Sequence, residues 1–201
     1  IMGGHSQTGL VAVVDCNEYE SGVIKRHELT RPSKEDDRVL HMEALDAQTG
    51  LVFLTYRAVS AVDGFINNRI SAKPDFDFKA ADSVQHTGWT IPDDEGIHFL
   101  SNQFGDVDGL YIADGHHRSA AALRVCKSRN GAGRSNRFIA VLFPDEQMQI
   151  LAYNRIIRDL NGLSSGGFLR KLKEVFEVSD NVELSAKNEL SLFLDGEWRG
   201  L

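Results

Sequence analysis

A short apolar strand that ends in Asp-Gly and passes at once into an alanine-rich helix constrains this chain more than any other stretch. Leu110-Tyr111-Ile112-Ala113 reads as a buried strand, Asp114 to His116 as a turn, and Arg118 to Ser128 as a helix closed by Asn130-Gly131-Ala132-Gly133. Ser119 to Ala122 is a run of small side chains, which lets that helix pack close to a sheet. A chain carrying such a unit needs other strands beside it, and the remaining sequence supplies them.

Leu10 to Val14, Leu51 to Tyr56 and Phe138 to Phe143 are β-branched or apolar runs of strand length. Phe76 to Lys79 and Val84 to Ile91 read as two further strands around an acidic turn, and Met148 to Tyr153 as a neighbour of the 138–143 strand. Glu18 to Gly22 reads as a turn. Ile24 to Pro32 reads as a loop, with Pro32 holding Arg31 extended. A helix is expected from Ser33 to about Asp46, with Ser33 as N-cap and Asp36 completing an approximate capping box. Ala58 to Asn68 and Pro92 to Phe104 have helical spacing, and Gly167 to Val175 carries Phe168, Leu169 and Leu172 on one stripe. Asp195-Gly196 between Leu192 and Trp198 signals a hairpin. The chain stops inside the second hairpin strand, as expected of a fragment of a longer protein.

The class that follows is α+β (mixed α/β): a mixed sheet with packed helices over residues 1–145, and a C-terminal helix and hairpin over 146–201. With 201 residues and 42% hydrophobic composition the chain can bury a sizeable core. Its formal charge of −7 and pI of 5.5 argue against nucleic acid as the main partner and for a small-molecule ligand. Cys16 and Cys126 match no metal or disulfide spacing, which suits reduced thiols in a cytoplasmic protein. No apolar run approaches the ~18 residues of a membrane span, and Ile1 to His5 lacks the regions of a signal peptide, so no membrane association is expected. Oligomeric state is not encoded in any motif.

The chemistry concentrates in Asp114-Gly115-His116-His117-Arg118. A helix that begins sharply after a strand leaves its first amide N–H groups unpaired at the positive end of the helix dipole, which is an anion site. Gly115 admits a close backbone approach, His116 and His117 add donors, and Arg118 can grip a phosphate through two parallel hydrogen bonds. Asp114 has two readings, a ligand for Mg²⁺ against phosphate oxygens or a cap on the helix. Adjacent histidines point in different directions and make a poor zinc pair. The plain alternative for the whole block is a capped, solvated basic turn.

Tyr111-Ile112-Ala113-Asp114-Gly115-His116-His117-Arg118-Ser119-Ala120-Ala121-Ala122 occurs together with Ile24-Lys25-Arg26-His27-Glu28-Leu29-Thr30-Arg31-Pro32. Lys34-Glu35-Asp36-Asp37-Arg38, Phe53-Leu54-Thr55-Tyr56 and Gln85-His86-Thr87 with Trp89 accompany them. In this combination the chain resembles the DUF1015 family, which is similar to free serine kinases of the ParB/sulfiredoxin-like superfamily. DUF1015 proteins are usually longer than this chain.

That resemblance implies a ParB/sulfiredoxin-like core and a nucleotide phosphate site at Asp114, Gly115, His116, His117 and Arg118. It also implies a catalytic carboxylate at Glu28, beside His27. The implied reaction moves a phosphoryl group from ATP or ADP, with Mg²⁺ on Asp114, to the hydroxyl of free serine or a similar compound. Glu28 would take the hydroxyl proton, and its alternative is an ion pair with Lys25, Arg26 or Arg31. Arg31 or Arg38 would offset charge on the transferring group, while Lys34 and both arginines read equally as solvated helix residues. Arg155, in Tyr153-Asn154-Arg155, stands where relatives often carry Pro-x-His-Arg, and His86 with Trp89 reads as a packing pair. A nucleotide-binding switch without turnover and a phosphohydrolase are the other two activities the same residues would serve.

Overall fold

The computed structural model describes residues 4–151, 154–180, 182 and 188–201. It divides into two compact units, Ile1–Ile150 and Leu151–Leu201, against the 145/146 boundary expected from the sequence. The first unit is a mixed α+β fold built on a five-stranded sheet.

The strands of that sheet are β1 (Leu10–Asp15), β2 (Ile24–Lys25), β3 (Val52–Tyr56), β6 (Leu110–Asp114) and β7 (Arg137–Pro144), in the order β1-β7-β3-β6-β2. β1 runs antiparallel to β7, β7 parallel to β3, β3 antiparallel to β6, and β6 parallel to β2. Strand alternation divides the faces. Val52, Leu54 and Tyr56 of β3, Phe138, Ala140 and Leu142 of β7, and Ile112 of β6 are buried on one face. Val11 and Val13, paired with Val141 and Ile139, are 58% and 57% exposed on the other.

The covered face is closed by α5 (His116–Ser128), whose Ser119, Ala120, Ala121 and Ala122 are all buried. Small side chains there allow close approach to the sheet, and each large aliphatic they cover contributes roughly 1.5–3 kcal/mol of burial. Beside α5 pack α1 (Cys16–Ser21) and α2 (Pro32–Leu45). Val62 of α3 (Ser60–Ile70) and Leu100 of α4 (Asp94–Gly105) join the same core. The hairpin of β4 (Phe76–Lys79) and β5 (Gln85–Gly88) forms a separate two-stranded sheet.

Four local readings of the sequence are corrected. The expected turn at Glu18 to Gly22 is α1, because the Asp15 side chain caps it by accepting from the Asn17 N–H at 2.7 Å while Cys16 and Tyr19 bury inward. Ile24 and Lys25, expected in a loop, pair with Leu110 and Tyr111. Ser33 is not the cap of α2. Arg31 is the cap residue, Pro32 occupies the first turn, and Asp36 accepts instead from Arg124 of α5 at 2.7 Å. No strand forms over Met148 to Leu151, and Ala152 and Tyr153 lie outside the described residues. Asp145–Gln147 is a 3₁₀ turn tied elsewhere: the Asp145 side chain accepts from Ala58 N–H at 2.9 Å, and that of Gln147 from Thr8 N–H at 2.6 Å.

The second unit contains α6 (Ser165–Leu172), capped by Ser164, and the hairpin of β8 (Ser191–Leu194) with β9 (Glu197–Gly200). Asp195 and Gly196 both take positive φ, 54° and 83°, as a primed two-residue turn requires. Phe193 and Trp198 pair across the strands with ring centroids 5.1 Å apart.

Candidate active site

β6 delivers the Asp-Gly-His-His-Arg block through a bulge. Phe53 pairs with Asp114 and Leu54 with Ile112, so Ala113 is an extra residue that re-aims the strand end just before the helix. Gly115 follows as the N-cap of α5 with φ 104° and ψ 24°, a conformation that other residues adopt only with strain. Asp114 is therefore not the cap. Its Oδ2 accepts from Arg118 Nη2 at 2.6 Å, one turn along α5. The Ser119 N–H bonds to the Gly115 carbonyl at 3.0 Å, which leaves the amides of His116, His117 and Arg118 in the open first turn.

The loop between β2 and α2 brings the second block to the same place. Glu28 Oε2 lies 3.4 Å from His116 Nδ1, and the rings of His27 and His116 meet edge to face at 4.5 Å between centroids. His116 is buried, and its Nε2 has no partner among the described residues. Burial holds its pKa below the ordinary histidine value; neighbouring His27 pushes the same way, and Glu28 and Asp114 oppose it. The contact with Glu28 is thus a close approach of a carboxyl oxygen to an imidazole that burial disfavours in its charged form. His117 Nε2 accepts from the Arg31 N–H at 3.1 Å.

Glu28, Asp114, Gly115, His116, His117 and Arg118 all line one cleft of about 380 Å³. His27 touches it through His116, and Arg31 through its backbone only. The first two turns of α2 complete the wall with Ser33, Lys34, Asp37 and Arg38. Lys34, Arg38 and Arg118 balance Glu28, Asp37 and Asp114, so the fixed charges cancel and the open first turn of α5 tips the site toward an anion.

Sequence reasoning missed Gly50. A Cβ on Gly50 would stand 3.1 Å from Arg118 Cδ, and one on Gly115 would stand 3.0 Å from Arg118 Nη2, so Arg118 lies between two glycines. Its Nε is buried with no partner among the described residues. Only the spacing of Lys34 and Arg38, four apart on a helix, was a readable sign of the α2 wall. His86 stacks on Phe78 at 5.2 Å and the Trp89 indole N–H donates to the Ala72 carbonyl, so these two serve the β4–β5 region rather than pairing with each other.

One protein family matches residues 1–201, the whole chain; its description is "Protein of unknown function (DUF1015)". The chain belongs to the DUF1015 family. No curated protein and no solved structure matches this DUF1015 chain. Among its described residues no helix is long and apolar enough to cross a membrane, and no group of three His, Cys, Asp or Glu side chains could hold a metal ion.

Proposed function

We propose that this DUF1015 chain is a phosphotransferase that moves the terminal phosphoryl group of ATP or ADP to the hydroxyl of free L-serine, as free serine kinases of the ParB/sulfiredoxin-like superfamily do. The observation that carries the reading is the approach of Glu28 to His116 at 3.4 Å in one cleft with the open first turn of α5. A carboxylate and an anion site brought side by side are the two parts that phosphoryl transfer to a hydroxyl needs.

In this reading the phosphates lie at the first turn of α5, with Arg118 and Arg38 on their oxygens. The serine hydroxyl oxygen attacks the terminal phosphorus, the bond from phosphorus to the bridging oxygen breaks, and the hydroxyl proton passes to Glu28. Phosphoserine and the shortened nucleotide leave. His116 positions Glu28 through the approach at Nδ1, and the Gly115 backbone lets the phosphate come close.

Mg²⁺ suits this site as an ion carried by the phosphates, because the ion needs one or two carboxylates and keeps its other positions for phosphate and water. Asp114 would hold it, and when bound it would neutralise charge on the phosphates.

The test is the purified chain with Mg²⁺, ATP or ADP, and serine, with phosphoserine and free phosphate both measured. Phosphoserine is expected, and Glu28→Gln should lower its rate by about 10²–10⁴-fold. Absence of phosphoserine, or a Glu28→Gln protein as fast as the parent, overturns the proposal. Phosphate released without an acceptor would identify a hydrolase, and nucleotide binding without turnover a switch.

A further inference from the structure

A second hollow of about 160 Å³ adjoins the cleft and is lined by Arg38, His41, Met42, Thr49, Gly50 and Arg118. Arg38 and Arg118 line both spaces. Glu28 and the His116–His117 pair line only the first. The two hollows therefore have an order: the carboxylate and the open helix turn at one end, two guanidinium groups between, and a pocket with no carboxylate at the other.

The α2 face gives that order a length. Lys34, Arg38 and Met42 repeat at four-residue spacing and His41 follows Arg38 by three, so they form one stripe. From Lys34 to Met42 the helix rises about 12 Å. An anion alone is much shorter, whereas a phosphate chain continued by a ribose and a base is of that order.

The chemistry changes along the stripe. Beyond the arginines the wall offers an imidazole, a thioether, a hydroxyl and a glycine backbone, with the Arg118 side chain passing close over Gly50. Imidazole and guanidinium faces stack on heteroaromatic rings, and a hydroxyl can bond to a ring nitrogen. The acceptor does not suit this end. Its hydroxyl must reach Glu28, and the carboxylate of a free amino acid lies only two carbons beyond that hydroxyl, too near to pass both arginines.

We infer that the hollow between α2 and the Thr49-Gly50 turn is the subsite for the aromatic base of a nucleotide phosphate donor, with Arg38 and Arg118 bridging its inner phosphates. This inference rests on the phosphate reading of the cleft and adds the nature of the donor's far end. His41 and Thr49 are exposed, so both can be changed without disturbing the core.

The experiment is calorimetric titration of the full chain with ADP, with ATP and with inorganic pyrophosphate, each with Mg²⁺, in the parent, His41→Ala and Thr49→Phe. The parent should bind both nucleotides more tightly than pyrophosphate. His41→Ala, which removes a stacking face, and Thr49→Phe, which fills the hollow, should each weaken nucleotide binding by about tenfold while pyrophosphate binding stays within roughly twofold. Unchanged nucleotide affinity in both variants, or equal losses for nucleotide and pyrophosphate, overturns the base subsite and leaves the phosphate site standing. Failure of the parent to bind any of the three overturns the base subsite together with the phosphate reading beneath it.

Discussion

Glu28 Oε2 faces Nδ1 of His116 across 3.4 Å, and His116 is a side chain only 3% exposed. A carboxylate on an open loop is thereby tied to a rigid helix start. Burial favours the neutral imidazole, while the Glu28 carboxyl group opposite Nδ1 favours the charged one; burial is the larger effect.

The neutral state makes stability depend on pH. The folded His116 pKa lies below the ordinary value of 6.5, chiefly through burial, so the unfolded chain binds its proton first as pH falls. His116's contribution is fully present above pH 6.5 and declines as pH drops from there toward the folded pKa, where the loss levels off. Urea denaturation from pH 7.5 down to 5 should show the parent losing stability across this window. His116→Asn, which puts a non-titrating amide in place of the imidazole, should flatten the slope. A variant slope equal to the parent's would mean that other groups set the pH response.

The parts of this fold that were legible in the sequence are those decided within a few residues. The strand–turn–helix around Asp114-Gly115 and the Asp195-Gly196 hairpin follow from local backbone rules, and both formed where expected. Asp36 shows where local rules lose. A capping box was a sound expectation for Ser33 and Asp36, but Arg124 arrives from α5 with a bidentate-capable guanidinium and takes both Asp36 and Glu35. Thr30 donates to Glu35 at the same helix start, so the first turn of α2 is organised by tertiary partners. Glu28 and His116 were each singled out from the sequence, yet their contact depends on β2 pairing parallel with β6, and a two-residue strand leaves almost no periodic signal. The clasp of Arg118 by Gly50 was invisible for the same reason: a missing Cβ has meaning only once its neighbour is known.

Asp114→Asn separates the two roles open to that carboxylate. It pairs with Arg118 but both groups reach solvent, at 73% and 31% exposure, so the change should move stability by no more than about 1 kcal/mol. Without Mg²⁺ the variant should bind pyrophosphate as well as the parent or better, because a negative charge beside the anion is gone and Arg118 is released. The gain in affinity that Mg²⁺ gives the parent should shrink. An undiminished Mg²⁺ effect in titrations of the variant would remove Asp114 as the ion's ligand and leave it only as the partner of Arg118.

Cys16 and Cys126 should be silent toward thiol reagents in the native protein. Both are buried, and burial pushes the Cys16 thiol up to about 12, with the neighbouring Cys126 adding to the shift. At Cys16 the reactive thiolate is therefore scarce at pH 8, and at both positions burial keeps the reagent out. Labelling with a chromogenic disulfide reagent should be slow until guanidinium chloride unfolds the chain, when both should react. Rapid native labelling of either would show that α1 and α5 open readily.

Gly115 and Gly50 both touch Arg118, but substitution should separate them. At Gly115 an alanine meets two obstacles, a φ of 104° that strains any L side chain and a Cβ only 3.3 Å from the Val52 Cα, which cannot move without the sheet. Gly115→Ala should cost on the order of 1–3 kcal/mol in denaturant unfolding and weaken pyrophosphate binding as well. At Gly50 the nearest obstacle is the flexible Arg118 side chain at 3.1 Å, which can shift by a few tenths of an ångström. Gly50→Ala should therefore leave stability within about 0.5 kcal/mol of the parent while lowering anion affinity, because Arg118 alone is displaced. Equal stability losses at the two positions would mean that Gly50 is held by backbone demands rather than by the guanidinium it admits. Retained affinity in Gly50→Ala would mean that Arg118 does not depend on the clasp to grip its ligand.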